Sequence, residues 1–425
     1  MKRIILVTII SLLMTGFVFP KQDNKLTYKK RQPAPILKKI KDLRNDDIKK
    51  NNIITKNIIK KEKKIRKKNR FIIKTDLRGV YPPKSYREFK QAFHFAPVAQ
   101  YYTSTCWSFS GTSYYESEIF RLTGKKIKLS EMWTVYYELL EKSKAFINKR
   151  GESYVSGGSE TNAINKTWKK YGIVPLNVYT GEEVKGKLYD HIPLMKELKS
   201  YLNYIKANNL WNLKTNMKSV EIILNKYMGK PPVSFTFKGK KYTPLQFLKN
   251  VTGLNMNDYY SLMSTKKVPF YTFSEFEVPD NWWFSKKYLN LPLNVWYSII
   301  KKTINKNYTI VIGGDVSEPG KMWENDIAFI PSFDIPENYI NQDSREYRIY
   351  NQTTGDDHGI HLVGYKKLKG KDWFLIKDSG RSARHGAKIN NGYYFFRGDF
   401  IRLKMLTFTV HKDMIKNILN KVRNK

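Results

Sequence analysis

Two amphipathic helices are predicted one after the other in the first third of the chain. The first begins at Cys106 and ends before Gly124, a residue suited to a left-handed helix stop. Its apolar positions recur at helical spacing, at Phe109, Tyr115, Ile119 and Leu122. The second begins after Ser130, a suitable N-cap, and its apolar face carries Trp133, Tyr136, Tyr137 and Leu140. Cys106 is therefore predicted to lie at a helix N-terminus.

Strand patterns dominate the C-terminal third of the chain. Short strands are predicted over residues 309–312, 360–364, 373–377 and 406–410. In the second of these, Ile360, Leu362 and Gly364 share one face, and His358 stands at the strand start. A short amphipathic helix is predicted after the last strand, with Met414, Ile415, Ile418 and Leu419 on one side.

The N-terminus has the pattern of a targeting segment. Lys2 and Arg3 precede a mostly apolar run that ends at Phe19, and Pro20 and a charged segment follow, which is typical of a secretory signal peptide. No small-x-small cleavage site precedes Lys21, so an uncleaved membrane anchor is the second interpretation of residues 1–20. Either interpretation predicts export. The body would be secreted or periplasmic, and membrane-anchored if the segment is retained.

Charge sets residues 21–74 apart from the body of the chain. Residues 21–70 hold 20 Lys and Arg against five Asp and Glu, in a chain of 425 residues with a formal charge of +40. The segment is predicted to be a solvated linker, a helical propeptide or a tether to an anionic surface. It lacks the interleaved aromatic pattern that stacks bases, so no specific nucleic-acid partner is predicted. The globular domain is placed at 75–425.

The thiol of Cys106 is the first candidate for chemistry. It is the only cysteine, so it cannot form an internal disulfide, and without companions it is a poor metal site. A free cysteine is often an inert buried side chain. At a helix N-terminus, however, the dipole and the unpaired N–H groups favour the thiolate, which is the nucleophilic form. No metal and no organic cofactor is implied.

The segment from Gln100 to Phe109, with Gln, five residues and then Cys-Trp-Ser-Phe, resembles the nucleophile motif of papain-like cysteine peptidases. The resemblance implies that Cys106 attacks the scissile carbonyl. It also implies that the Gln100 side chain and the Cys106 N–H hold the oxyanion. Gly157 and Gly158 match the glycine pair along which the family binds an extended substrate.

A thiolate nucleophile needs a base and an acceptor that orients the base. Of the six histidines, His358 fits the family spacing, because Gly359 follows it and Gly364-Tyr365 come at the expected distance. His361 does not fit and is predicted to be a packed strand residue. The other four have no local signature and are given surface or core roles: His94, His191, His385 and His411.

The third position departs from the family pattern. Where the family has Asn-Ser-Trp-Gly, this chain has Asp378-Ser379-Gly380. An aspartate can still accept a hydrogen bond from the imidazole and stabilise its charged form. The tryptophan that shields this bond in the family is absent. Asp378 is therefore predicted to orient His358.

Residues 229–248 and 292–316 resemble the bleomycin hydrolase and aminopeptidase C branch, which carries a large insertion, here 181–350. The resemblance implies an α+β, two-lobed papain-like fold with a helical lobe and a β-barrel-like lobe. The function it implies is that of an exported cysteine peptidase acting on peptides or proteins through Cys106, His358, Asp378 and Gln100. A catalytically weakened or inactive binding protein is the alternative. The oligomeric state stays open.

In that branch the C-terminal arm lies in the cleft, and its carboxylate receives the amino group of the substrate. Here the tail carries Lys421, Arg423 and Lys425, which oppose the approach of an ammonium group. The sequence therefore predicts that the tail does not impose aminopeptidase action.

Overall fold

The computed structural model describes residues 26–32, 34–69, 71, 73–181, 188–322, 324–380, 382–384 and 390–423. The chain divides into two compact units, Met1–Ile72 and Ile73–Lys425. The predicted signal peptide or anchor, residues 1–20, lies outside the described residues, as do His385 and Lys425. Among the helices of the described ranges, none has the length and apolar character needed to cross a membrane.

The first unit contains one long helix, α1, Pro35–Lys68. Pro35 occupies its first turn, where a missing N–H costs nothing. Its last turn carries Arg66, Lys67 and Lys68, which complement the negative end of the helix dipole. Every described residue of α1 is exposed. Within the segment 21–74, for which a linker, a propeptide and a tether are the predicted alternatives, residues 35–68 therefore form one continuous helix without a buried residue.

The second unit begins with a helical lobe. Its helices are α2 Cys106–Thr123, α3 Glu131–Asn148, α4 Ala163–Tyr171, α5 Ile192–Ala207, α6 Leu213–Met228 and α7 Pro244–Val251. Both predicted ends are confirmed: Gly124 closes α2 at φ 68°, and the Ser130 hydroxyl accepts from the Trp133 N–H at 3.0 Å. The lobe core is rich in aromatic side chains, with Trp107, Trp133 and Trp168 almost completely buried.

The second lobe is built on one 11-stranded mixed sheet. Its strands are β1 Lys90–Gln91, β4 Tyr259–Met263, β5 Phe273–Ser274, β6 Tyr288–Asn290, β7 Ile310–Gly314, β8 Lys321–Met322, β9 Ile327–Ala328, β10 His358–Leu368, β11 Lys371–Lys377, β12 Tyr393–Arg397 and β13 Met405–His411. Their order is β5-β6-β4-β13-β7-β10-β11-β12-β9-β8, with β1 on β10. A separate hairpin is formed by β2 Phe235–Phe237 and β3 Lys240–Tyr242.

Helices α8 Leu293–Asn305, α9 Gln342–Tyr350, α10 Gly398–Lys404 and α11 Lys416–Arg423 follow the strands along the chain. The predicted apolar side of the C-terminal segment is confirmed, because Met414, Ile415 and Leu419 are buried in the core of the sheet lobe. The two lobes, one helical and one built on a sheet, confirm the α+β class.

Residues 181–350 contribute to both lobes. Their first part supplies α5, α6 and α7, whose apolar faces complete the core of the helical lobe. Their second part supplies β4 to β9 with α8 and α9, which belong to the sheet lobe. The insertion therefore does not form a unit of its own.

The central register of the sheet brings two predicted site positions to one edge. β10 runs antiparallel to β11, with His361 opposite Lys377. The start of β10, at His358, therefore lies beside the residues that follow the end of β11, beginning with Asp378. On its other side β10 pairs with β7, with His358 opposite Gly314.

Candidate active site

Cys106 is the first residue of α2, and its thiol is partly exposed. As a first-turn residue it has a backbone N–H without an acceptor inside the helix. The Ser110 hydroxyl donates to the Cys106 carbonyl at 2.8 Å, which fixes the turn that carries the thiol. The sulfur accepts from the Gly359 N–H of the sheet lobe at 3.4 Å. The contact joins the predicted nucleophile to the residue that follows the predicted base.

Gly359 has little room for a side chain. A Cβ atom built there would lie 3.1 Å from Ser110 Oγ and 3.2 Å from Trp107 Cα. A larger residue would push the start of β10 away from the first turn of α2. The small residue after His358 therefore sets how closely the imidazole approaches the thiol.

His358 bridges the thiol and the carboxylate. Its Nε2 bonds to Asp378 Oδ1 at 2.6 Å, and its ring also interacts with Cys106. Because Nε2 is engaged with Asp378, Nδ1 is the ring nitrogen left for the thiol. Burial by itself lowers the pKa of His358, but the charges of Cys106 and Asp378 outweigh it and raise that pKa to about 10. The geometry therefore favours a charged imidazolium at neutral pH.

Asp378 is held in place by more than its histidine. The Ser382 hydroxyl donates to its Oδ2 at 3.0 Å, and its own N–H donates to the Gly392 carbonyl at 2.8 Å. Burial raises the pKa of Asp378, but the neighbouring His358 holds it well below its usual range. The side chains of His358 and Asp378 are only 13% and 2% exposed. Their bond is thus sheltered although the family tryptophan is absent.

Gln100 is tied to the same edge of the sheet. Its N–H donates to the Ser379 carbonyl at 2.9 Å, and its Oε1 accepts from the Ser379 hydroxyl at 2.8 Å. Because Oε1 accepts from Ser379, the other atom of the Gln100 amide is the nitrogen Nε2, which is a hydrogen-bond donor. Gln100 therefore lies beside the residue that follows Asp378.

Gly157 and Gly158 lie in a loop that is anchored beside the first turn of α2. The Trp107 indole N–H donates to the Gly157 carbonyl at 2.9 Å. A Cβ atom on Gly157 would lie 2.7 Å from the Thr103 carbonyl oxygen, and one on Gly158 would overlap the Asp280 carboxylate. Neither position accepts a side chain without a shift of its neighbours.

Lys142 is a site residue that the sequence analysis missed. Its buried ammonium donates to the carbonyls of Ser156 and Gly158 and so holds in place the loop that carries Gly157 and Gly158. Burial lowers the pKa of Lys142, and the nearby Glu138 and Asp280 counteract this effect. One signal was available. On α3, Lys142 continues the buried stripe of Val135, Leu139 and Phe146, where a lysine needs a buried partner.

We expect Lys142→Met to raise KM for peptides more than it lowers kcat, with kcat/KM falling about tenfold or more. The physical reason is the loss of charge-assisted hydrogen bonds to two loop carbonyls, each of which contributes roughly 1.5–3 kcal/mol. Steady-state kinetics with a fluorogenic peptide measure this split. Lys144→Met, on the same helix but outside the buried stripe, is the matched control. Equal KM values for the parent and Lys142→Met would contradict the anchoring role.

Asp356 and Glu160 form a pair of interacting carboxyl groups. Asp356 interacts with both Glu160 and Cys106, and Glu160 accepts from the Tyr288 hydroxyl at 3.2 Å. Burial raises the pKa of both carboxyls, and the charge of Glu160 raises that of Asp356 further. Local sequence patterns could not pair them, because they are almost 200 positions apart.

His361 occupies a different environment from His358. It is completely buried, and its Nδ1 bonds to the Ser113 hydroxyl of α2 at 2.8 Å. Burial and the charge of Lys377 lower its pKa well below the usual range. The prediction of a packed strand residue is confirmed. His191 and His411 are also buried, and His94 bonds to the Tyr393 hydroxyl at 2.9 Å.

No protein-family model and no curated protein matches the sequence, but solved structures do. The crystal structure of PepW from Lactobacillus rhamnosis HN001 has a TM-score of 0.63 at 18% identity, covering 89% of this chain and 94% of that one. Digestive procathepsin L 3 of Tenebrio molitor larval midgut has a TM-score of 0.36 at 14% identity, covering 79% and 73%. A structure from work on the mite allergens Blo t 1 and Der p 1 has a TM-score of 0.34 at 13% identity, covering 79% and 74%.

The chain has the fold of papain-like cysteine peptidases, and the similarity to PepW extends over nearly its whole length. At this level of identity the similarity defines the fold alone. The activity has to be argued from the residues of the site.

Proposed function

We propose that this protein is an exported cysteine peptidase of the bleomycin hydrolase and aminopeptidase C branch, which hydrolyses peptide bonds. One observation carries the proposal. A thiol at the N-terminus of α2 contacts the N–H of Gly359, and the adjacent His358 bonds at 2.6 Å to Asp378. The helical lobe supplies Cys106, and the sheet lobe supplies the other residues of these contacts. The packing of neither lobe by itself requires the contacts between them.

In the proposed reaction the Cys106 thiolate adds to the scissile carbonyl, and the carbonyl oxygen becomes an oxyanion. Gln100 Nε2 and the Cys106 N–H are the proposed donors to that oxyanion. The His358 imidazolium gives its proton to the leaving amine as the C–N bond breaks, which leaves a thioester on Cys106. The imidazole then takes a proton from water, and the hydroxide releases the acid and restores the thiolate. Asp378 keeps the imidazole oriented throughout.

A binding protein without catalytic activity is the second candidate, because aspartate replaces the family asparagine. The geometry at Asp378 argues against it, since the carboxylate makes the required bond to His358 and receives a second one from Ser382. A scaffold that only binds would have no use for the aligned thiol and imidazole. Peptide cleavage by the purified protein distinguishes the two.

We further propose that the cleft accepts internal peptide bonds. The C-terminal helix α11 is anchored in the core of the sheet lobe by Leu419, and Ile415 just before the helix is buried in the same core. The last turn of α11 carries the cation Lys421. A cationic tail is a poor partner for a substrate ammonium group.

We expect a fluorogenic peptide with a free N-terminus and its N-acetylated form to be cleaved with kcat/KM values within about threefold, a difference of about 0.7 kcal/mol. The reason is that a cationic tail gives no attraction to a free ammonium group. Deletion of residues 420–425, which spares the buried Leu419, should change neither value. A strong preference for the free amine that disappears in the deletion variant would instead establish an aminopeptidase.

Export through residues 1–20 is part of the proposal and rests on their sequence pattern alone. N-terminal sequencing of the protein recovered outside the cytoplasm tests it. Recovery in the cytoplasm alone would contradict it.

A further inference from the structure

Helix α1 carries an apolar surface that no described residue of its own unit covers. It has ten isoleucine and leucine residues, and each is 43–63% exposed. Exposing so many large apolar side chains on a continuous helix is unfavourable in water. A helix of 34 residues with this composition is therefore expected to have a partner.

The apolar residues are concentrated on one side. With 3.6 residues per turn, nine of the ten fall within an arc of about 160°, and Ile53 is the exception. Two series repeat every 11 residues, Leu37-Ile48-Ile59 and Leu43-Ile54-Ile65. An 11-residue repeat lies close to the helical period and keeps a stripe nearly straight along the helix.

The charge of α1 is strongly positive and lies mainly on the other side. The helix holds 14 Lys and Arg against four Asp and Glu, a net charge of +10. Ten of the 14 cations lie outside the apolar arc by the same helical geometry. The acidic residues Asp47 and Glu62 fall on the apolar arc. They favour a position of the helix at the surface of an apolar phase over deep insertion into it.

We propose that α1 binds to the surface of an anionic lipid membrane, with its apolar arc at the acyl boundary and its lysines at the headgroups. A helix with one apolar face and a basic polar face is the form that lies in this interface. Each basic residue near an anionic surface contributes about 1 kcal/mol, so a net charge of +10 can supply most of the attraction. The proposal does not depend on the proposed peptidase activity.

Three other partners for the apolar arc of α1 are disfavoured by charge or by the lack of apolar contact. A second copy of α1 would bring another charge of +10 against the first, and like charges repel. The rest of this chain is no better, because residues 21–70 account for +15 of the total of +40 and leave +25 elsewhere. A nucleic acid would match the charge but would leave the isoleucine stripe uncovered.

The single cysteine permits a direct test in the full-length protein. In a Cys106→Ala background, a new cysteine is placed on the arc as Ile54→Cys or Ile58→Cys, or on the opposite side as Lys56→Cys. Each is labelled with a polarity-sensitive fluorophore. None of these three residues is buried, so the variants should fold like the parent. Because the label reports its own position, insertion of residues 1–20 into the lipid cannot mimic the result.

With vesicles of phosphatidylcholine and phosphatidylglycerol, we expect a blue shift and a several-fold rise in emission at positions 54 and 58. Little change is expected at position 56. Pure phosphatidylcholine should give a much smaller effect, and 1 M salt should reduce binding, because the Debye length falls to about 3 Å.

Three results would overturn the proposal. The first is an equal response at positions 54 and 56, and the second is an equal response to neutral and anionic vesicles. The third is a blue-shifted label at position 54 without lipid, which would mean that protein covers the arc. Dependence of that third signal on protein concentration would identify a second copy.

Discussion

Replacing His358 with alanine is expected to lower kcat/KM by at least about three orders of magnitude, the scale on which a nucleophile and base act as one unit. In the proposed mechanism His358 holds the proton for the leaving amine, and its ring interacts with both Cys106 and Asp378. Cys106→Ala should be as severe, because no other cysteine exists in the chain. Hydrolysis of a fluorogenic peptide, normalised to folded protein, measures both.

His361→Ala is the matched control for this prediction. Its imidazole is completely buried and bonds to Ser113, so the substitution should cost about 1–3 kcal/mol of stability. Turnover per folded molecule should nevertheless stay close to that of the parent. If His361→Ala abolished turnover while His358→Ala remained active, the assignment of the base would be wrong.

The second large effect is expected at Asp378. Asp378→Ala should slow turnover by roughly one to several orders of magnitude, because the imidazole loses its acceptor and its orientation. Asp378→Asn should be tolerated far better, because an amide oxygen can still accept the hydrogen bond. Equal rates for Asp378→Ala and the parent would show that another residue orients His358.

The pH profile provides a second measurement on the same variants. The pKa of His358 is raised to about 10 from its ordinary value near 6.5, so the imidazolium stays charged through neutral pH and is lost as the pH rises through about 10. The alkaline limb of kcat/KM should therefore lie near pH 10 in the parent. Asp378→Asn removes one of the negative charges that raise this pKa, so the limb should move to lower pH. If the alkaline limb of kcat/KM lay at the same pH in Asp378→Asn and the parent, Asp378 would not control the pKa of His358.

Local sequence signals predicted the parts of the site that depend on neighbouring residues. The stop at Gly124, the cap at Ser130 and the place of Cys106 at a helix N-terminus follow from short-range preferences. The assignments of His358 and Asp378 followed from the resemblance to the family, and the antiparallel register of β10 and β11 places both residues at one edge of the sheet.

Contacts between distant segments could not be predicted in the same way. The bonds from Lys142 to Ser156 and Gly158, and the approach of Glu160 to Asp356, depend on how loops fold over the helices. The distribution of residues 181–350 over both lobes has the same cause, since its helices and strands complete cores that other segments begin. The helical conformation of α1 could not be predicted for a different reason. Without buried contacts, its pattern of lysine and isoleucine is compatible with a linker as well as with a helix.

Reaction of the native protein with an epoxide inhibitor of thiol peptidases, followed by intact-mass measurement and peptide mapping, tests directly whether Cys106 and His358 form an active pair. We expect one inhibitor adduct per chain, located on Cys106, and a much slower reaction in His358→Ala. Alkylation of the unfolded protein serves as the control that the thiol is present and reduced. An unchanged mass for the native protein, with full alkylation after unfolding, would contradict an active thiolate and imidazolium pair at this site.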